Sequence, residues 1–159
     1  MYLENSRIIV VKIGSSLIID EKKIIRKKWL LEFAKDIKNI KKKNKNIIIV
    51  SSGAIALGCK KLNIAKKKLK IDQSQAVASV GQIELMNLFK KVFSNQKINI
   101  SQILLTLEDT EKRRRAINAK RTIENLFNLN FIPIVNENDT IATSEIKYGD
   151  NDRLASRVA

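Results

Sequence analysis

Four strand-length runs of β-branched and other apolar residues alternate along this chain with longer stretches that have helical spacing. The runs lie at residues 7–13, 46–50, 100–105 and 131–135. Because each run is almost continuously apolar, it is typical of a strand that is buried on both faces of a parallel sheet. The alternation predicts an α/β fold, a three-layer αβα sandwich with a mainly parallel sheet.

Three long segments between these runs carry their apolar residues on one helical face. They span residues 22–43, 72–93 and 108–128, and Asn44 is well placed to end the first of them in a left-handed conformation. The apolar faces indicate packing against the sheet. In the middle segment, approach to a site, packing and solvation explain the polar residues Gln75, Ser79 and Gln82 equally well.

Histidine is absent from the chain, and cysteine occurs once, as Cys59. Without histidine, these 159 residues cannot form a histidine-based triad or a histidine-ligated zinc site. With a single cysteine, they cannot form an internal disulfide or a Cys-x-x-Cys metal site. No apolar run approaches the roughly 20 residues of a membrane helix, and the first residues lack the pattern of a signal peptide. We expect a cytoplasmic protein without a membrane partner.

The chain carries 31 lysines and arginines against 16 acidic residues, which gives a formal net charge of +15. Most of the basic residues are lysines scattered among asparagine and isoleucine. Runs such as residues 41–43 have no interleaved aromatic side chains on which bases could stack. A solvated surface explains the charge best, an anionic substrate comes second and a nucleic acid partner third.

Small polar loops follow the first two predicted strands. Lys12, Gly14 and Ser15 stand at the end of the first strand, where an ammonium, amides and hydroxyls suit a phosphate. Residues 51–54, Ser-Ser-Gly-Ala, connect the second strand to a predicted helix and let an anion approach the backbone. The alternatives are an edge lysine before a glycine turn and ordinary helix capping by serine.

Two clusters of Asn and Asp follow the fourth predicted strand. They are Asn-Glu-Asn-Asp at residues 136–139 and Gly-Asp-Asn-Asp at residues 149–152, the second leading into a helical pattern at residues 151–159. Either cluster alone is explained by turns and caps. Two clusters around one short segment favour a binding site at the carboxyl ends of the strands.

In this order and spacing, the four polar loops resemble the amino acid kinase family. The resemblance covers residues 8–159 and depends most on residues 136–139 followed by Glu-Ile-Lys-Tyr-Gly-Asp-Asn-Asp at residues 145–152. Those motifs are similar to the branch of the family that phosphorylates the γ-carboxylate of L-glutamate with ATP, the first step of proline biosynthesis. The resemblance implies the amino acid kinase fold, that activity, and ATP and Mg²⁺ as cofactors.

The resemblance also assigns roles on the nucleotide side. It implies that Lys12 contacts the ATP phosphates and stabilises the transferring phosphoryl group, while Gly14 and Ser15 shape the phosphate loop. Asp150 would orient the catalytic lysines. No residue is assigned as a metal ligand.

The same resemblance implies that four residues bind the amino acid substrate. Ser52, with Gly53 beside it, would hold glutamate, Asp139 would take the substrate ammonium, and Asn151 would hydrogen-bond glutamate. This set agrees with the chemistry of the residue types, since carboxylates bind ammonium groups and amides bind carboxylates.

The resemblance implies a homo-oligomer, and possible feedback inhibition by proline. Residues 1–159 correspond to the N-terminal portion of the kinase domain, and the resemblance implies that the nucleotide-binding half follows beyond residue 159. The last helical pattern has no stop signal, so we also expect the chain to be cut off inside an element. The isolated chain is then expected to have little kinase activity. A non-catalytic amino acid-binding fragment and other family members, such as aspartate, acetylglutamate, carbamate or uridylate kinases, remain as alternatives.

Overall fold

The structure is a computed structural model that describes residues 5–65, 69–141 and 150–159, with Asp150 described by its backbone alone. The elements in chain order are β1 (Ile8–Ile13), α1 (Ser15–Ile18), α2 (Lys27–Lys41), β2 (Asn46–Ser51), α3 (Ala54–Leu62), α4 (Ile71–Ser94), β3 (Asn99–Leu105), α5 (Leu107–Glu111), α6 (Arg113–Asn128), β4 (Phe131–Glu137) and α7 (Asp150–Val158).

The four strands form one sheet in the order β1-β2-β4-β3, and every neighbouring pair is parallel. The predicted parallel sheet is therefore confirmed. In the register Lys12 lies beside Val50, and Leu105 lies beside Glu137. Because parallel strands end at the same edge, the polar loops that follow them become neighbours there.

Helices cover both faces of the sheet, which confirms the three-layer arrangement. On one face α2, α3 and α4 pack over the larger core, in which Ile49, Phe89 and Phe93 are completely buried. On the other face α6 and α7 cover a smaller core that includes Val135 and Leu154. The strands are apolar on both faces because both faces are covered.

Two glycines allow α3 and α4 to pack with their backbones in close approach. A β-carbon on Gly81 would lie 1.7 Å from the carbonyl oxygen of Ala54, and one on Gly58 would lie 2.1 Å from that of Val77. Neither position has room for a side chain. Gln82 follows Gly81 along α4, so it lies near the start of α3 and the loop that precedes it.

The first long helix begins at Lys27 rather than at residue 22, because the preceding residues form a turn closed by an antiparallel bridge. Within this turn, the Asp20 carboxylate accepts a hydrogen bond from the backbone amide of Ile24 at 2.8 Å. Lys23 adopts a positive φ of 59°. A side chain that captures a nearby amide competes with helix formation, although the apolar spacing continues through it.

Two other boundaries also differ from the sequence prediction. The segment predicted as one helix over residues 108–128 is divided into α5 and α6 at Lys112, whose backbone is extended. β4 continues through Asn136 and Glu137, so the first half of the first Asn/Asp cluster belongs to the strand. Asn44 has φ of 55°, which confirms the predicted left-handed residue just after α2.

Candidate active site

Lys12, the predicted phosphate-binding cation, lies near the carboxyl end of β1 and pairs with Asp152 of α7. The Lys12 Nζ atom is 2.6 Å from Asp152 Oδ1, and the two side chains are 32% and 61% exposed. An ion pair this exposed adds little stability, but it holds the ammonium between β1 and α7. Sequence reasoning gave the orienting role to Asp150, whose side chain lies outside the described residues.

The predicted phosphate loop is a turn that leads directly into the short helix α1. Gly14 has an extended backbone with φ of −74°, and its carbonyl accepts from the amide of Leu17 at 3.1 Å. A β-carbon on Gly14 would lie 3.8 Å from Lys12 Nζ and 3.9 Å from Ser16 Oγ. An ammonium and a hydroxyl therefore lie close to the same glycine, a donor set that fits phosphate oxygens.

The loop after β2 is tied to the loop after β1 through the backbone. The amide of Ser52 donates to the carbonyl of Ile13 at 3.1 Å, and the hydroxyl of Ser51 donates to the carbonyl of Ser52 at 2.9 Å. Gly53 has φ of 114°, and a β-carbon there would lie 3.8 Å from the Cα of Ser15. The structure thus brings together the predicted residues Ser15, Ser52 and Gly53.

Asn136, from the first predicted Asn/Asp cluster, and Gln82 form a buried amide pair, and neither residue had an assigned role. Asn136 is 1% exposed, and its Nδ2 atom donates to Gln82 Oε1 at 2.7 Å. Asn136 Oδ1 and Gln82 Nε2 are also buried, with no hydrogen-bond partner among the described residues. A signal for Gln82 existed, because it lies one helical turn after the buried Ala78 on the face of α4 that packs inward.

Asp139, the predicted ammonium ligand, lies in the turn that follows β4. The amide of Asn138 donates to the carbonyl of Leu105 at 2.9 Å, which attaches this turn to the end of β3. The hydroxyl of Thr140 donates to Asn138 Oδ1 at 2.6 Å. Asp139 is half-buried, so its carboxylate stands at the carboxyl edge of the sheet, partly open to solvent.

Asn151, the predicted glutamate ligand, is the second residue of α7. Its Oδ1 atom is buried and has no hydrogen-bond partner among the described residues. α7 packs against β1, β2 and β4, and Leu154 anchors it with 1% exposure. The helix therefore holds Asn151 and Asp152 against the sheet, whereas Gly149 lies outside the described residues.

The loop after β3 contains a helix cap whose polar groups bond to one another. Thr106 Oγ1 accepts from the amide of Asp109 at 3.3 Å, and Asp109 Oδ2 accepts from the amide of Thr106 at 2.8 Å. Burial raises the pKa of Asp109, but the hydrogen bonds from Thr106 and the nearby guanidinium of Arg115 outweigh it. The pKa of this carboxyl is therefore below its ordinary value.

A groove of about 380 Å³ lies between α4 and β3, away from these loops. It is lined by Ser94 at the end of α4 and by Asn99 and Phe131 at the amino ends of β3 and β4. Ligand sites of open parallel sheets lie at the opposite ends of the strands. The groove is therefore separate from the site built by the four polar loops.

Two kinds of feature are missing from residues 5–65, 69–141 and 150–159. No group of three or more histidine, cysteine, aspartate or glutamate side chains in these ranges could hold a metal ion. No helix in the same ranges is long and apolar enough to cross a membrane.

Comparison with known proteins gives matches along nearly the whole chain. The sequence pattern of the amino acid kinase family matches residues 7–159. A glutamate 5-kinase of Pelagibacter ubique (strain HTCC1062) is 78% identical over 159 residues, which are 100% of this chain and 43% of that protein. A glutamate 5-kinase of Sinorhizobium fredii (strain NBRC 101917 / NGR234) is 53% identical over 157 residues, 99% of this chain and 40% of that protein. The chain thus spans less than half the length of these relatives.

Solved structures agree in fold at much lower sequence identity. A carbamate kinase of Giardia superposes with a TM-score of 0.53 and 11% identity, covering 82% of this chain and 60% of that one. An isopentenyl phosphate kinase of T. acidophilum superposes with a TM-score of 0.54 and 11% identity, covering 82% of this chain and 54% of that one. At this identity the likeness supports the predicted fold alone.

Proposed function

The chain belongs to the amino acid kinase family, and on that premise we propose that it forms the amino acid-binding part of a glutamate 5-kinase. The reaction transfers the γ-phosphoryl group of ATP to the γ-carboxylate of L-glutamate, giving ADP and L-glutamyl 5-phosphate, the first step of proline biosynthesis. The observation that carries this proposal is the 78% identity over all 159 residues with a protein of that name.

The carboxyl end of β1 and the loop after it provide the contacts for the transferred phosphoryl group. Lys12 supplies the positive charge, and its ammonium lies near Gly14 and the hydroxyl of Ser16. Phosphoryl transfer depends mainly on positioning and on stabilising the charge of the phosphoryl oxygens, both of which this set provides. Asp152 orients Lys12 through their ion pair, and Asp150 remains the proposed organiser of the catalytic lysines.

The residues after β2 and β4 provide the contacts for glutamate. Ser52 offers its hydroxyl and Gly53 its backbone amide to a carboxylate, and Asn151 offers its side-chain amide. Asp139 takes the α-ammonium, because a partly buried carboxylate prefers a cationic partner. All four lie at the edge of the sheet where the loop after β1 ends.

The nucleophile explains why a site without histidine suffices. The γ-carboxylate of glutamate is already ionised at neutral pH. No general base has to remove a proton before the attack on the γ-phosphorus, so lysine, amides and hydroxyls cover the chemistry that the protein must supply. The absence of histidine from the whole chain is therefore compatible with this reaction.

The proposal includes Mg²⁺ as an ion that is bound by the phosphates of ATP. The described residues hold no acidic cluster that could form a protein-only metal site, and Mg²⁺ is commonly held by substrate phosphates together with one or two carboxylates. The ion would neutralise charge on the ATP phosphates. A cytoplasmic location, a homo-oligomeric assembly and feedback inhibition by proline complete the proposal and follow from the family resemblance.

An acceptor panel tests the proposal directly. The protein that carries this chain is incubated with Mg-ATP and each of L-glutamate, L-aspartate, N-acetyl-L-glutamate, carbamate and UMP, and ADP release is measured. We expect ADP release that depends on L-glutamate and saturates with it. Faster turnover of another acceptor would contradict the assignment, and saturable glutamate binding without ADP release would favour a non-catalytic binding module.

A further inference from the structure

The amide pair between α4 and β4 is the buried polar contact that the proposed mechanism has not yet used. Asn136 Nδ2 donates to Gln82 Oε1 at 2.7 Å, across 54 residues of sequence. Each amide has a second polar atom, and both of these atoms are buried with no partner among the described residues. Buried polar groups are nearly always hydrogen-bonded, so two such atoms in one pair indicate a ligand-facing position.

The pair offers one donor and one acceptor whichever way its amides are turned. In the structure Asn136 presents its oxygen and Gln82 presents its nitrogen. If both amides were rotated by 180°, Gln82 would donate to Asn136, and the remaining atoms would again be one nitrogen and one oxygen. The complementarity of the pair therefore does not depend on how the two amides are assigned.

A ligand that satisfies both atoms must supply one acceptor and one donor close together. The phosphate groups of a nucleotide supply acceptors alone at neutral pH. An α-amino acid supplies both, because its ammonium donates and its α-carboxylate accepts. The pair thus matches the head of an amino acid better than it matches ATP phosphates.

The position of the pair agrees with this chemistry. Gln82 follows Gly81, whose backbone touches Ala54 at the start of α3, directly after the loop of Ser52 and Gly53. Asn136 is followed within three residues by Asp139. The pair therefore joins α4, which passes close to the start of α3, to the end of β4, which leads into the turn of Asp139.

We propose that Gln82 both contacts the substrate and positions Asn136 in the glutamate pocket. It holds the Asn136 amide in one orientation, so that Asn136 accepts from the α-ammonium while Gln82 Nε2 donates to the α-carboxylate of the substrate. This inference rests on the proposed function and deepens it, because it assigns to α4 a part in recognising the zwitterionic head of the amino acid.

Steady-state kinetics of the protein that carries this chain test the inference, with glutamate and ATP varied separately. Gln82→Met keeps the length of the side chain and removes both polar atoms. We expect the KM for L-glutamate to rise roughly five- to tenfold, the size of one or two lost hydrogen bonds, while the KM for ATP stays within about twofold. Asn87→Leu, an exposed amide on the same helix, is the matched control and leaves both KM values unchanged.

A double-mutant cycle separates positioning from a general loss of structure. If Gln82 acts together with Asn136, Gln82→Met raises the KM for glutamate far less in the Asn136→Leu variant than in the parent protein. An unchanged KM for glutamate in Gln82→Met, or equal rises in both KM values, would overturn the inference and leave the proposed function standing. A parent protein that glutamate does not saturate would overturn both.

Discussion

The β1–β2 side of the site and its β4–α7 side differ in how their polar groups are paired within the protein. On the β1–β2 side, the amide of Ser52 bonds to Ile13 and the hydroxyl of Ser51 bonds to the backbone of Ser52. On the β4–α7 side, Asn136 Oδ1 and Asn151 Oδ1 are buried without partners among the described residues. The first side is held by its backbone, and the second leaves side-chain atoms that a substrate can satisfy.

Under the proposed function, this difference indicates how the two proposed substrates would be recognised. A phosphoryl group is bound well by a fixed set of donors, because the reaction requires the charges to be in place beforehand. Unpaired buried groups can select an amino acid, because an analogue that does not hydrogen-bond to them leaves each group unsatisfied. Each unsatisfied group costs about 1–3 kcal/mol of binding free energy. Under the proposed function, the groups of β4, α4 and α7 are therefore expected to select glutamate, while Ser52 and Gly53 contribute contacts that are fixed in advance.

Substitution of Lys12 is expected to have the largest effect and tests the β1 side. Lys12→Met removes the charge beside the phosphoryl group, so kcat should fall by about 100-fold or more, while the KM for glutamate changes little. Initial rates at varied glutamate and saturating ATP measure this split. An unchanged kcat with a raised KM for glutamate would assign Lys12 to glutamate binding. It would also contradict the proposed difference between the β1–β2 side and the β4–α7 side.

Substitution of Asn151 tests the opposite side and should separate binding from stability. Asn151→Ala should raise the KM for glutamate by about tenfold, the size of a hydrogen bond to a charged group. The free energy of unfolding should stay the same or increase by up to about 1 kcal/mol, because a buried unpaired acceptor is removed.

Urea unfolding and initial rates measure both effects of the Asn151 substitution. Ser156→Ala, an exposed position on the same helix, serves as the control and should change neither quantity. A marked loss of stability in Asn151→Ala together with an unchanged KM would show that the asparagine supports the fold rather than the ligand.

Substitution of Gly53 tests whether the β2 loop depends on backbone conformation. Gly53→Ala places a β-carbon on a residue with φ of 114°, 3.3 Å from Ile18 Cδ1, and should destabilise the protein by roughly 1–2 kcal/mol. Gly14→Ala is the matched control, since its φ is −74° and its β-carbon would meet atoms no closer than 3.8 Å. Equal urea midpoints for the two variants would contradict the proposed role of the backbone.

Substitution of Asp109 should have the smallest effect, because the cap after β3 lies outside the proposed site. The lowered pKa of Asp109 means that its ionised form is favoured in the folded protein. Its contribution to stability is therefore present above the ordinary pKa and disappears as the pH falls through the lower folded value. Asp109→Asn should cost about 1 kcal/mol at pH 7 and progressively less in acid.

The pH dependence of urea unfolding checks the Asp109 prediction. Asp36→Asn, at an exposed position on α2, is the surface control and should leave the urea midpoint at pH 7 nearly unchanged. A destabilisation by Asp109→Asn that persists below the pKa of the carboxyl would show that packing, and not charge, is responsible.

The strands and their parallel direction were predictable because burial on both faces leaves a clear apolar signal, whereas the order of the strands in the sheet was not predicted. Residues 46–51 illustrate this, since every position after Asn46 is buried. The start of α2 was not predictable from apolar spacing, because the Asp20 side chain captures a backbone amide and turns the chain first. The division at Lys112 is likewise a local backbone feature that periodicity does not record.

The individual loops of the site were predictable from residue types, but their cross-connections were not. Lys12 and Asp152 are far apart in sequence, and the choice between Asp150 and Asp152 depends on how α7 docks on β1. Gln82 was visible only as a polar residue near an apolar helical face. Its significance comes from Asn136, which the fold brings to it from the fourth strand.

Side-chain amide NMR tests the central contrast most directly. The amide resonances of Gln82, Asn136 and Asn151 are followed in the protein that carries this chain during titration with L-glutamate and, separately, with ATP. We predict that L-glutamate shifts these resonances with saturation and that ATP alone leaves them nearly unchanged. Resonances that respond to ATP and not to glutamate would contradict the assignment of the β4–α7 side to the amino acid.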